Sequence, residues 1–290
     1  MNDGSAFSEN AEWHNLKRQR NLFNRILIFL YLFRGYAMEI VSVANGYEDI
    51  FWSYVSRDPI NYYFFILDWT QHREQTKILL AVEGDRVLGS LLIFADYIVQ
   101  LRDNREAVKK LLDYVTLKKV DLQAPLDCED IVCQKYKPRV KQNMMLMRLN
   151  RGKEHIHLVE TPVRLNVEEA EEVASLMRRC DPEWWGETTA EKLKQRWHKV
   201  FWLGIRKEGK LVSIGSAHLV DFASNIGVIA TDKNYRNRGY ATSIVSALVQ
   251  EIFKKSPTAL IHVIADNTPA IRVYSKVGFK SYKTYLSVRT

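Results

Sequence analysis

From residue 77 onward, short apolar runs broken by glycine turns alternate with longer stretches of helical period. Residues 77–96 read KILLAVEGDRVLGSLLIFAD, two apolar and β-branched runs about Gly84, and residues 200–221 read VFWLGIRKEGKLVSIGSAHLVD about Gly209. Each predicts a β-hairpin. Placing Gly84 over Gly209 also brings Val87 over Val212 and Asp96 over Asp221, a weak internal repeat. A helix is predicted after each hairpin. Val108, Leu111, Leu112 and Val115 share one face in 105–115, and Ile244, Val245, Leu248, Val249 and Ile252 do so in 241–255. Each half then closes strand, helix, strand: 118–126, 130–137 and 142–149 in the first, 259–265, 268–277 and 280–288 in the second. The class is therefore α/β, of the α+β type with mixed, mostly antiparallel sheets flanked by helices. Two similar domains are expected, 38–152 and 153–290, joined near Arg151-Gly152-Lys153. The string Met38-Glu-Ile-Val-Ser-Val opens the first as a strand, and Trp52, Tyr62, Tyr63 and Trp69 read as its core. His155 and His157 fall on an opening strand of the second, without further ligands to make a metal site.

Residues 1–37 read as an N-terminal extension, partly helical or disordered: either a docking helix or a segment ahead of a start at Met38. Its longest apolar run, residues 26–33, is eight residues, short of the roughly 20 that span a membrane, so no membrane span is expected. Lys17, Arg18, Arg20 and Arg25 imitate a signal peptide but no small-residue cleavage site follows. Cys128, Cys133 and Cys180 make no disulfide framework and suit a reduced, cytoplasmic protein. Charge narrows the partner. The 290 residues carry 42 Lys plus Arg against 34 Asp plus Glu, a net +8, and residues 231–290 alone hold ten basic and three acidic residues. An excess this local points to an anionic ligand at one place rather than a nucleic-acid coat.

The second half has a loop that the first lacks. A strand ending near Thr231 leads through Arg236-Asn237-Arg238-Gly239-Tyr240-Ala241-Thr242 into a helix. Glycine lets backbone bend around a ligand, and the N–H groups and positive dipole end of the helix suit phosphate oxygens, with Lys233, Arg236 and Arg238 adding charge. Neither a Walker sequence nor a dinucleotide fingerprint is present. Downstream, Asn267-Thr-Pro269-Ala270 begins a short helix that Gly278 ends, with Ala270 and Tyr274 on one face.

Together, Arg236-x-x-Gly239-x-Ala241 and Asn267-x-x-Ala270-x-x-x-Tyr274-x-Lys276-x-Gly278-Phe279 resemble the two signatures of the GNAT N-acetyltransferase superfamily. The resemblance covers about 155–290. The first half resembles a degenerate GNAT copy, since residues 98–107 (IVQLRDNREA) lack the loop motif, a layout similar to tandem proteins of the glycine N-acyltransferase type. What the resemblance implies is an N-acyltransferase using acetyl-CoA or another acyl-CoA as co-substrate, without a metal or nucleic acid. Its acceptor would be a small-molecule amine or a protein amine. The backbone of Ile229, Ala230 and Thr231 would hold the pantetheine arm, the amides of Arg236 to Thr242 the pyrophosphate, and Asn267 and Ala270 the pantetheine side. A backbone N–H near Ile229 would steady the oxyanion, and Tyr274 would protonate the departing thiolate.

Many family members carry a glutamate base fourteen residues before the loop glycine; here that position is Asn225. The remaining candidates are His218, Asp221 or a water relay, with Asn225 as holder of the water. For the acceptor, Trp184 and Trp185 beside Asp181, Glu183 and Glu187 offer either an amine cage or helix caps with buried tryptophans. Asn225 also motivates a second reading, a non-catalytic acyl-CoA-binding regulator, and the basic C-terminus a third, a nucleic-acid-binding module.

Overall fold

A computed structural model describes residues 37–290, so the expectations for residues 1–36 lie outside the described residues. Among these, β1 (Glu39–Ser42) is followed by α1 (Glu48–Val55) and α2 (Tyr63–Gln71). The hairpin about Gly84 is β2 (Thr76–Glu83) and β3 (Arg86–Phe94). Then come β4 (Ile98–Asp103), α3 (Arg105–Leu112), β5 (Asp121–Ala124), α4 (Glu129–Lys135) and β6 (Val140–Asn150). The second half opens with β7 (Val163–Arg164), α5 (Ala170–Cys180), the short α6 (Pro182–Trp185) and α7 (Ala190–Arg196). The hairpin about Gly209 is β8 (Phe201–Lys207) and β9 (Lys210–His218). β10 (Ser224–Thr231), α8 (Tyr240–Lys255), β11 (Thr258–Ile264), α9 (Thr268–Val277) and β12 (Lys280–Arg289) complete it.

The twelve strands form one sheet in the order β1-β2-β3-β4-β5-β12-β6-β11-β10-β9-β8-β7. Its two ends mirror each other, and the parallel pairs, β4 with β5 and β10 with β11, fall at matching places. At the centre the halves exchange their last strands. β12 pairs with β5 of the first half, and β6 pairs with β11 of the second, while β6 and β12 pair with each other from Lys280↔Arg148 to Arg289↔Val140. Each half of the sheet is thus closed by the last strand of the other.

Helices cover both faces. The apolar stripe read from the sequence of α8 is fully buried against β8–β11, with Ile244, Val245, Leu248, Val249 and Ile252 all at 0% exposure. Each such side chain stabilises by roughly 1.5–3 kcal/mol. α8 lies so close to β9 that a Cβ on Gly215 would clash with Ile244 Cγ2. On the other face, α5 and α7 pack through Val173, Leu176, Met177 and Ala190 onto Trp202, Ile214 and Ala230. Beside them, α2 of the first half lies across the exchanged strands, its Tyr63 and Leu67 clustering with Leu146, Leu260 and Tyr285. This crossing brings the first half to the cleft of the second. Tyr62, Tyr63 and Trp69 are core as read, whereas Trp52 is 36% exposed.

One expectation is corrected. His155 and His157 lie on no strand, and the opening strand is only Val163–Arg164. The reason is where the backbone donors go: the N–H of His155 donates to the Val277 carbonyl, that of His157 to Ser246 Oγ and that of Val159 to Ser243 Oγ. This segment is bound along helices α8 and α9 instead of a strand neighbour.

Candidate active site

The parallel pairing of β10 with β11 runs only from Ser224↔Ala259 to Ile226↔Ile261. Between Ile226 and Ile229 the register of β10 against β9 also shifts, and the Val228 N–H donates to Ser216 Oγ at 2.9 Å. Past that point a cleft of about 510 Å³ opens. Asp232 steadies the following turn by accepting from the Asn234 N–H at 3.0 Å. The turn ends at Gly239, the N-cap of α8, with φ +81° and no side-chain cap. The first N–H groups of a helix have no partner within it, and here no N-cap side chain occupies them. At the matching place in the first half, Asn104 caps α3 by accepting from the Glu106 and Ala107 N–H groups. The two helix starts are equivalent in the fold, one closed by a side chain and one open.

The sequence candidates for coenzyme binding mostly meet at this cleft. Ile229, Ala230 and Thr231 line it from the strand, Arg236, Asn237 and Gly239 to Thr242 from the loop, and Asn267, Ala270 and Tyr274 from α9 and its cap. Arg236 Nε donates to the Thr231 carbonyl at 3.2 Å, tying the loop to the strand end. Arg238 is placed differently: it lines neither this cleft nor its neighbour, donates to the Asn234 carbonyl at 3.2 Å and lies over Tyr235. Asn267 Oδ1 accepts from the Ala270 N–H at 3.2 Å and so starts α9.

A second cavity, of about 420 Å³, adjoins the first. Asp181, Trp185, Ile229, Asn267 and Tyr274 line both. Tyr274 is 6% exposed, and its burial pushes the phenol above its ordinary range, so it keeps its proton at neutral pH. His218 and Asn225 face each other across β9 and β10 and line the second cavity. Asn225 Oδ1 lies 3.3 Å from His262 Nδ1. Burial, reinforced by Arg196 for His218 and by Arg102 for His262, pushes each imidazole down to about 4. Both rings are neutral at pH 7.

Other candidates lie apart or serve the fold. Asp221 is exposed, 3.6 Å from Lys255 Nζ, and lines neither cavity; Glu183 is likewise exposed and outside both. Asp181 is the cap of α6, accepting from the Trp184 N–H at 2.9 Å. Trp185 packs against the α5 cluster, and the Arg289 guanidinium stands 3.7 Å over the Trp184 ring, so this chain itself supplies a cation there. Among the described residues no cluster of His, Cys, Asp or Glu could hold a metal ion, and no helix is long and apolar enough to cross a membrane.

Sequence reasoning missed what the first half contributes. Phe64, Leu67, Asp68 and Gln71 of α2, with His72 beyond it, line the second cavity, joined by Arg196 and Lys199 of the second half. The sequence shows only that 64, 67, 68 and 71 share one face of a mostly apolar helix, with a carboxylate on it; which cavity that face meets is set by the tertiary fold.

Residues 202–288 match the family model described as "FR47-like protein". No curated protein sequence matches the chain. Among solved structures, a Drosophila protein is similar over 88% of this chain and 99% of its own, with 13% identity and a TM-score of 0.63. A GNAT-family acetyltransferase from Colwellia psychrerythraea aligns over 87% of this chain and 99% of its own, with 14% identity and a TM-score of 0.51. A GCN5-related N-acetyltransferase from Sphaerobacter thermophilus aligns over 78% and 84%, with 12% identity and a TM-score of 0.54. At such identities the likeness is one of fold, and the first two run through both halves. The family match thus falls on the C-terminal half, residues 202–288, and the chain shares its fold with these GNAT-family acetyltransferase structures.

Proposed function

We propose that the protein moves an acyl group, acetyl favoured, from acyl-CoA to a primary amine by direct attack. One observation carries this reading: Tyr274, a buried phenol, lines both the cleft beside the open helix start and the adjoining polar cavity. The free first-turn amides of α8, the glycine that caps it and Arg236 suit the pyrophosphate of coenzyme A. The diverging β10 backbone at Ile229, Ala230 and Thr231 suits the pantetheine, with Asn267 and Ala270 opposite. Bound there, the thioester supplies the activated acyl carbon. Strand backbone near Ile229 then steadies charge on the acyl oxygen, and Tyr274 delivers the proton that the thiolate needs. His218, a neutral imidazole, and a water held by Asn225 stand on the amine side, and the tryptophans of α6 border the acceptor. On this reading residues 38–152 form the worn GNAT-like domain and 153–290 the acyltransferase domain, and the free cysteines suit a cytoplasmic setting.

Calorimetry with acetyl-CoA, and release of the CoA thiol over a panel of primary amines, test the proposal. Binding and turnover are expected, with turnover in Tyr274→Phe falling about 10²-fold or more, the typical contribution of a positioned acid, and binding little changed. Asn225 motivates a competing reading as an acyl-CoA-binding regulator. Binding without thiol release over the whole panel, indifferent to Tyr274→Phe, would establish that reading instead.

A further inference from the structure

The family resemblance leaves the base position filled by an asparagine, and the candidates from the second half serve poorly. Asp221 is outside the cavity. His218 holds a proton so weakly that it is a poor match for an ammonium group. The first half supplies something better. Asp68 sits on the last turns of α2, 6% exposed, and lines the second cavity together with Asn225, His218 and Tyr274. Its carboxylate has no hydrogen bond and no ion pair among the described residues; its backbone carbonyl accepts from the His72 N–H and from Thr76 Oγ1. Buried carboxylates are normally paired, and one left open toward a cavity is suited to something that enters the cavity.

We propose that Asp68, from the degenerate half, is the catalytic base of the acyltransferase: it receives the acceptor's ammonium group and takes its proton. The inference rests on the acyltransferase reading above. The carboxylate accepts one N–H proton, directly or through one water, and later releases it to solvent. The freed amine forms the C–N bond as the C–S bond breaks. The second N–H proton lost on amide formation balances the one that Tyr274 gives to the sulfur. Burial supports the role, raising the Asp68 carboxyl to about 7 against the opposing pull of Arg196. That is where a general base works best at neutral pH. The charged and titratable groups that share its cavity are Arg196 and Lys199, His218 from β9, His262 from β11, Tyr274 from α9, Asp121 from β5, Asp181 before α6 and His72 at the end of α2, with Tyr63 on α2 itself close by. Asp68 is the one anion that α2 brings to the cavity.

The test uses the full chain, acetyl-CoA and whichever primary amine of the panel releases thiol fastest. Asp68→Asn is expected to lower kcat/KM about 10²-fold or more and to remove the rise of kcat with pH through about 7. Asp68→Glu should restore part of the rate, and acetyl-CoA affinity should stay within about twofold in both, which also reports an intact fold. A rate for Asp68→Asn within about threefold of wild type, or an unchanged pH profile, would overturn this inference alone. Failure of the wild type to bind acetyl-CoA, or to release thiol with any amine, would overturn the acyltransferase reading and this one with it.

Discussion

Asp68 makes a prediction that needs no substrate. A carboxyl that titrates at about 7 in the folded chain and at its ordinary 3.8 in the unfolded one opposes folding wherever it is ionised. The sign follows from the proton count. Between those two values the folded chain holds a proton that the unfolded chain has released, so stability falls as pH rises. Integrated from about pH 5 to about pH 9, the loss from this one group is ~2.7 kcal/mol. Asp68→Asn keeps the shape and removes the charge, so the variant should gain on the wild type by that amount across the same range, being the more stable of the two at high pH. Urea unfolding followed by tryptophan fluorescence and circular dichroism together gives the difference, coincidence of the two probes justifying two-state analysis. Subtracting variant from wild type at each pH cancels all other titrations. A difference flat to within about 0.5 kcal/mol would mean that water or a cation satisfies the carboxylate, and would refute the reasoning from burial.

The neighbouring histidines act with the opposite dependence. His218 and His262, both lowered from 6.5 to about 4, are neutral when folded and protonate when unfolded, so their stability is lost as pH falls from about 6.5 toward 4, roughly 3 kcal/mol each. His262→Asn should therefore flatten the acid side of a plot of Tm against pH, and an unaltered slope would contradict the burial argument. At the loop, Gly239→Ala forces a side chain onto a φ of +81° and a Cβ to 2.9 Å from Val159 Cγ2. The strain is about 1–2 kcal/mol, and acetyl-CoA affinity measured by calorimetry should drop about tenfold; full affinity would argue that this helix start is not the phosphate site.

Much of this was written in local pattern. The two hairpins follow from alternation about Gly84 and Gly209, and the caps and stops of α9 from Asn267, Pro269 and Gly278, because those signals act within a few residues. The cleft beside the open helix start was legible for the same reason, since one strand, one loop and one helix start line it. The adjoining cavity was not. It is assembled from α2, β4 and β5 of one half with β9, β10 and α7 of the other, and no local signal says that residue 68 comes to face residue 225. Arg238 illustrates the remaining gap. Its position in the motif was evident, while its turn toward Asn234 and Tyr235, next to an Asn237 with a φ of +61°, was not.

The exchanged central strands bear on how such a chain can be dissected or change over generations. Cutting it near residue 152 would strip β6 from beside β11 and leave β12 without β5 or β6, so two edges would be bared next to the cleft. Exposed edges recruit strands from elsewhere, and a lone C-terminal fragment would be driven to borrow one from a second copy or to aggregate. The first half therefore could not simply be removed from the second. Its last strand is a structural member of its sibling and its helix α2 lines a cavity shared with it, so a change in either half bears on the packing of the other.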